Sequence, residues 1–478
     1  MRRVSFLSDS RSAAVFCTIV LNLAVFGCGG DSASSPSEPT PVPVPKPKYL
    51  VPMPRVSIID IGVSAQLSVN VYDRPGDPLS GYPATWRSSD PSEASVTSDG
   101  VVTAVAQGAP RIYVTAAGVT DSIALIISSP PPVGSRFAQV AVKSDHACAI
   151  SDGGQTYCWG NNAGGWVDPT STQSLYLTPT RVSGLPVLTS LVSGESFTCG
   201  INAPGDLYCW GTIPTDSSGA KSPRAIVTGM NFIQVVAGSA HICGLTQSGD
   251  VYCWGNNLKG QLGIGTFAAV TVPTKVAGSF KFLALTAEAN GTCGISADST
   301  AVCWGHAFLS GQPVVVPTRK DQARFSSLYA AQDGSAVCGT TSSGTSYCWG
   351  GEFVFPIGTP VAQNGAVGSI GANPPFTVLE PGRSFVCGLT QRYAYCWGTA
   401  SAGQNGLGVI EAGLSSVVAP GPVIWGMQYS QISVGVQSTC GVTVTGRVSC
   451  WGANSYGQLG DGDTNDAAWP SGNHAAGS

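Results

Sequence analysis

Histidine is nearly missing from this chain, with His146, His241, His306 and His474 the four examples. That leaves little for imidazole-based catalysis or metal binding. Charge is scarce too, at 10% Asp, Glu, Lys and Arg. Basic residues number 23 against 27 acidic, and 20 against 26 once residues 1–27 are set aside. That balance lacks the positive footprint of a nucleic-acid binder, so no nucleic-acid partner is expected. The N-terminal apolar run, Ala13 to Phe26, is short of the roughly 20 residues of a spanning helix. Also missing are Gly-x-Ser-x-Gly, His-Glu-x-x-His and a phosphate loop. Asp461-Gly462-Asp463-Thr464-Asn465-Asp466 starts like a calcium loop but lacks Gly at its sixth place, Asp466, and Glu at its twelfth, Gly472. We therefore assign no catalytic, cofactor-binding or metal-binding residue and expect no enzyme. His146 and His241 stand two residues before a cysteine and read as structural.

Cysteine, in contrast, is plentiful and ordered. Seven pairs recur, each closing on Cys-Trp-Gly: Cys148 with Cys158, Cys199 with Cys209, Cys243 with Cys253, Cys293 with Cys303, Cys338 with Cys348, Cys387 with Cys396, and Cys440 with Cys450. The unit repeats every 44 to 53 residues, the period of a propeller blade for all-β repeats. Within a unit such as Val235–Leu245, Ser248-Gly249-Asp250 and Val251–Gly255, two β-rich runs flank a Gly turn, the mark of a hairpin. Cysteines ten apart, or nine in the sixth copy, then face each other, at a separation a disulfide accepts. Thiolate zinc sites instead need ligands two to four residues apart. One tryptophan per blade at one strand position reads as packing between blades.

The N-terminus supports an oxidising destination. Arg2 and Arg3 precede the apolar run, as in a secretory signal. Val25-Phe26-Gly27-Cys28 resembles a bacterial lipobox, whose cysteine becomes a lipidated N-terminus, although Phe26 departs from the small residue usual there. The other reading is signal cleavage nearby, with Cys28 a spare thiol. The Gly29-Gly30 pair that follows, rather than an Asp, points to outer-membrane sorting. If Cys17 leaves with the signal and Cys28 takes lipid, fourteen of 16 cysteines remain, all paired. The expected layout is a signal at 1–27, a lipidated Cys28 with a Pro/Ser-rich tether to 49, a sandwich at 50–130 and a propeller at 131–478.

Residues 50–129 contain no cysteine and alternate with period two: Ala65, Leu67, Val69 and Val71 share one face, as do Ile112, Val114 and Ala116, then Ile123, Leu125 and Ile127. This predicts a small antiparallel sandwich with Trp86 in its core. The strings Ala84-Thr85-Trp86-Arg87-Ser88-Ser89-Asp90-Pro91 and Asp99-Gly100-Val101-Val102-Thr103-Ala104 resemble the bacterial Ig-like group 2 family, whose members act as spacers or adhesive modules. Residues 131–478 resemble the regulator-of-chromosome-condensation repeat family. Its Gly-Gln-Leu-Gly element stands intact at 260–263 and 457–460, partial at Gly311-Gln312 and Gly403-Gln404, and missing from the second and fifth copies. The resemblance implies an all-β chain, a seven-bladed β-propeller behind a small Ig-like β-sandwich. Nuclear relatives act as nucleotide-exchange factors, and a secreted propeller of similar repeats inhibits β-lactamase.

Cysteine spacing barely varies, whereas the stretch from each second cysteine to the next first one runs 41, 34, 40, 35, 39 and 44 residues. Length variation thus follows Cys-Trp-Gly, so one rim should carry irregular loops on a fixed scaffold. Trp166, Tyr176, Phe308, Phe353 and Phe355 are the candidate partner contacts. The function expected is capture of a protein or other envelope macromolecule by a lipid-anchored protein of the bacterial cell envelope. A structural envelope role, or a carbohydrate-active site in the central channel, are the alternatives. Because Pro131-Pro132-Val133 resembles Pro273-Thr274-Lys275-Val276, the segment before the first copy is expected to lend a strand to the last blade.

Overall fold

A computed structural model describes residues 46–474, apart from 54–55, 75–78, 132–133, 215, 217–220, 307–312, 335, 351–367, 372–374, 400, 409–416 and 424–426. The signal, Cys28 and most of the tether lie outside the described residues. So do Phe308, Phe353 and Phe355.

The alternation in residues 50–129 forms a sandwich. One sheet orders Val56–Asp60, Val119–Ser128, Arg111–Ala116 and Ala84–Ser88; the other orders Ser64–Gln66, Val101–Ala104 and Ala94–Val96. Ala65, Leu67, Val102, Ile112, Ile123, Leu125 and Ile127 fill the space between, with Trp86 against them. One expectation needs correction, because Val56–Asp60 runs parallel to Val119–Ser128. The connection between those strands passes through the rest of the domain, long enough for a parallel crossover.

Seven blades follow, each of four antiparallel strands in chain order. In the first these are Phe137–Val142, His146–Ser151, Thr156–Asn161 and Leu175–Arg181, from the channel outward. One long strand, Val314–Ala330, serves as outer strand of the fourth blade and inner strand of the fifth. In every blade a disulfide joins the middle two strands at directly opposed residues. Cys148 is bonded to Cys158, Cys199 to Cys209, Cys243 to Cys253 and Cys293 to Cys303. Cys338 is bonded to Cys348, Cys387 to Cys396 and Cys440 to Cys450. The paired Cα atoms are 4.0–4.1 Å apart throughout. The pair Cys387 and Cys396, one residue closer in sequence, keeps that register because its hairpin turns through Gln391-Arg392 alone, with Gln391 at φ 54°.

The tryptophans explain why the disulfides recur. All seven are at most 1% exposed, and each packs on the disulfide of the preceding blade. Trp210 lies on Cys148 and Cys158, Trp254 on Cys199 and Cys209, and Trp304 on Cys243 and Cys253. Trp349 lies on Cys293 and Cys303, Trp397 on Cys338 and Cys348, and Trp451 on Cys387 and Cys396. Trp159 lies on Cys440 and Cys450, which carries the pattern across the seam from the last blade to the first. The glycine after six of the tryptophans, all but Trp349, has no room for a side chain: at Gly160, φ 102°, a Cβ would sit 2.5 Å from the Asp145 carbonyl oxygen.

The last blade takes its outer strand, Ala467–His474, from the C-terminal end. The expected strand exchange is therefore not how the ring closes, since four strands of one repeat already complete the sheet. Side chains and turns close it instead. Gln431 Oε1 accepts the Val140 N–H at 3.0 Å while its Nε2 donates to the Val140 carbonyl at 3.2 Å. Gln234 grips Leu285 and Gln139 grips Leu191 in the same two-handed way. The Phe137 N–H also donates to the Gly446 carbonyl in the last blade's turn, as Phe282 does to Gly249.

From Lys46 onward the chain is one compact unit. Asp60, 4% exposed, joins the sandwich to the last blade. It accepts from Arg447 Nε at 3.0 Å, Thr445 Oγ1 at 2.6 Å and Ser128 Oγ at 2.9 Å, while Arg447 Nη2 donates to the Ser129 carbonyl. Breaking a buried pair costs about 3 kcal/mol or more because one charge is left uncompensated. Asp60→Ala should therefore split one calorimetric transition into two, one per domain; a single unchanged transition would show that the pair does not couple them.

Candidate functional site

Antiparallel alternation decides which residues share a rim. An inner strand and the third strand of its blade end on the same side, so the inner-to-second connection and the loop after Cys-Trp-Gly lie together. Hydrogen bonds tie them: the N–H of Asn161 donates to Asp145, Asn256 to Ala240, His306 to Asn290, and Ala453 to Gln437. The hairpin turns occupy the opposite rim. Thr445 and Arg447 belong to such a turn, so the Ig-like domain docks on the turn rim and the loop rim faces away from it.

Buried asparagines shape the loops. Asn257 accepts the Leu262 N–H at 3.0 Å and donates to the Thr266 and Ala268 carbonyls. Asn162 and Asn454 do the same for Val167 and Leu459. The sequence reading missed this residue, although Trp-Gly-x-Asn recurs at 159–162, 254–257 and 451–454 and could have revealed it. In the last blade the calcium-like stretch is spent on Asn454: Asp461 Oδ1 accepts from its Nδ2 at 3.0 Å and Asp466 Oδ1 from its N–H at 2.8 Å. Among the described residues no group of three or more His, Cys, Asp or Glu could hold a metal.

The Gly-Gln-Leu-Gly loop also latches onto the next blade. The Gln458 carbonyl accepts from Trp159 Nε1 at 2.9 Å, and the Gln404 carbonyl accepts from Trp451 Nε1 at 3.1 Å. Trp166 occupies the glutamine place in the first blade, its carbonyl accepting from Trp210 Nε1 at 2.9 Å. The second copy lacks the motif, and Trp254 Nε1 finds no partner among the described residues. Trp304 Nε1 has none among them either, and the Gln261 carbonyl there accepts the Thr292 hydroxyl at 3.1 Å.

Trp166 is half-buried, its ring 5.4 Å from that of His146. Tyr176, also half-buried, donates its hydroxyl to Asp168 Oδ2 at 3.1 Å. Both help to build the loop. The aromatic and aliphatic groups that project from these loops are others: Leu258 at 73%, Phe267 at 51% and Tyr456 at 43% exposure.

At the channel end of this rim, Lys143 stands where other blades carry Gly194, Gly238, Gly382 and Gly435. It is 1% exposed and donates across the ring to Gln332. Burial pushes its ammonium down to about 8, against the pull of Glu195, Glu288 and Asp333. Glu288 is buried beside it and pushed up to about 7 by desolvation. His146 and His241 are wholly buried, pushed down to about 4 and about 3, first by desolvation and then by Lys143. Their Nε2 atoms meet Thr198 and Thr292 of the next blade at 3.0 and 2.9 Å. Neutral and committed to inter-blade bonds, both serve the scaffold.

Comparison with known proteins agrees with this architecture. Two models of the regulator of chromosome condensation repeat match, one at residues 137–165, 232–261 and 429–458, the other at 248–293. A model of the bacterial Ig-like domain (group 2) matches residues 53–127. The ultraviolet-B receptor UVR8 of Arabidopsis thaliana is 37% identical over 78 residues, 16% of this chain and 17% of the receptor, so the match spans about a sixth of that relative. Human WBSCR16 superposes with a TM-score of 0.58 at 16% identity, covering 68% of this chain and 94% of its own. Prp20p of Saccharomyces cerevisiae, a protein studied for its binding to Gsp1p and histones, gives 0.54 at 20% identity over 64% and 83%. At these identities the likeness is one of fold. The chain thus has an all-β fold, a seven-bladed β-propeller containing segments that match the regulator-of-chromosome-condensation repeat models, preceded by a domain that matches the bacterial Ig-like group 2 model.

Proposed function

We propose that this is an exported, non-enzymatic binding protein of the cell envelope, anchored through a lipidated Cys28, whose loop rim captures another protein. One observation carries the reading: the scaffold packs a tryptophan with the neighbouring blade's disulfide in every seam, while the loops after Cys-Trp-Gly differ in length and lie opposite the Ig-like domain. An Ig-like spacer docked on the turn rim leaves the loop rim facing away from it. Protein binding by a propeller of the same fold, as for Prp20p with Gsp1p and histones, supports the class of partner by analogy alone. Carbohydrate hydrolysis would need two carboxyl groups flanking a reachable bond. Glu288, near the loop-rim end of the channel, is instead 1% exposed.

Leu258, Phe267 and Tyr456 take over as the contact residues, since exposed apolar groups on rigid loops make the anchors of protein interfaces. Full-length protein, immobilised and offered envelope and secreted fractions, should retain a defined protein. The double variant Leu258→Asp/Tyr456→Asp should lose that protein by more than about thirtyfold, the effect of removing a hot spot. Ile126→Asp, at a residue 47% exposed on the Ig-like domain, should not. Equal recovery by all three would sink the loop-rim assignment, and no retained protein would favour a purely structural role.

A further inference from the structure

The residue opposite the first cysteine of each blade points to a second site. These seven are Ala141, Val192, Val236, Thr286, Tyr329, Glu380 and Ser433, and all of them line a central cavity of about 180 Å³. Their order around the ring is not mixed. At this position blades one to three contribute Ala, Val and Val, while blades four to seven contribute Thr, Tyr, Glu and Ser, so this ring of seven side chains has an apolar and a polar side; Gln139 and Ser193 also line the cavity next to the apolar side.

Part of the polar side is structural. Ser433 Oγ accepts the Val142 N–H at 3.2 Å, Thr286 Oγ1 the Ala330 N–H at 3.0 Å, and Glu380 Oε2 the Val434 N–H at 2.8 Å. A hydroxyl suffices for that bond in two seams. The carboxyl group at Glu380 therefore brings a second oxygen and a charge that the seam does not use. Among the described residues no cation is an influence on it, and burial raises its pKa to about 7. Tyr329 beside it is raised to about 12, by burial and then by Glu380. Lys143, at the loop-rim end, is turned to Gln332 and its own carboxylates.

We propose that the channel binds a small organic cation, a primary ammonium on a short apolar stem, with Glu380 receiving the ammonium and Ala141, Val192 and Val236 the stem. The ammonium would form a charge-assisted hydrogen bond with the carboxyl group, stronger than one between neutral groups. The cavity has room for on the order of ten waters, enough for a stem of several carbons.

Titration calorimetry on the full-length protein with n-butylammonium, butyrate and ammonium alone tests this. Saturable binding is expected for n-butylammonium within about 100 mM, the weak end for five non-hydrogen atoms, and for neither of the others. Glu380→Gln should weaken it at least tenfold. Glu380→Ser, which copies the seam bond of Ser433, should do the same if the glutamine variant does not fold. Val236→Ser should weaken it several-fold, and Leu258→Asp/Tyr456→Asp should leave it unchanged, which separates this site from the loop rim. Absent saturation, equal binding of butyrate, or full affinity in a folded Glu380 variant would overturn the proposal.

Discussion

Reduction of the seven disulfides should leave a chain that no longer folds cooperatively. Each bridge closes a hairpin of nine or ten residues, worth about 2.7 kcal/mol in the chain-entropy model. Seven amount to about 19 kcal/mol, more than the roughly 5–15 kcal/mol by which folded proteins exceed their unfolded states. Packing adds to this, because each disulfide is the surface on which the next blade's tryptophan rests. The cysteines are at most 1% exposed, so reductant alone should act slowly, through global opening. In moderate urea with dithiothreitol, loss of the circular-dichroism transition should follow thiol release. A reduced chain that still melts cooperatively would show that the bridges are incidental to the fold.

The second large effect is expected at the seam between the last blade and the first. Trp159 is 0% exposed, packs on Cys440 and Cys450 and donates to the Gln458 carbonyl. Trp159→Ala should cost about 3–5 kcal/mol for the cavity it leaves, with about 1 kcal/mol more for the lost bond. Leu258→Ala, at a side chain 73% exposed, should change stability by less than about 0.5 kcal/mol. Urea titration of both variants checks this. A small effect at Trp159 would mean that the ring tolerates an open seam and that closure rests on contacts other than the tryptophan.

Local patterns in this chain were legible and distant ones were not. Cys-Trp-Gly reveals its disulfide because both cysteines belong to one hairpin, where spacing and register are the same fact. The alternation from Ala65 to Val71 and from Ile112 to Ile127 likewise places the sandwich core. Closure was misread because Pro131-Pro132-Val133 looks like an outer strand. The real one, Ala467–His474, is interrupted by register shifts against Val448–Gly452, which blur its pattern. Exposure depends on place in the loop more than on residue type: half-buried Trp166 fills the place of a loop glutamine, whereas Leu258, beside an asparagine anchor, is 73% exposed. The two sides of the channel's ring of side chains could not be seen at all, since residues up to 292 positions apart, from Ala141 to Ser433, meet there only once the ring has closed.

Non-reducing peptide mapping of the full-length protein, isolated from cells without reductant, tests the account most directly. It should recover seven linkages, each joining the two cysteines of one hairpin from Cys148–Cys158 to Cys440–Cys450, with no free thiol among the fourteen. Free sulfhydryls at those positions, or linkages between different blades, would contradict both the stitched ring and the export on which the binding role depends.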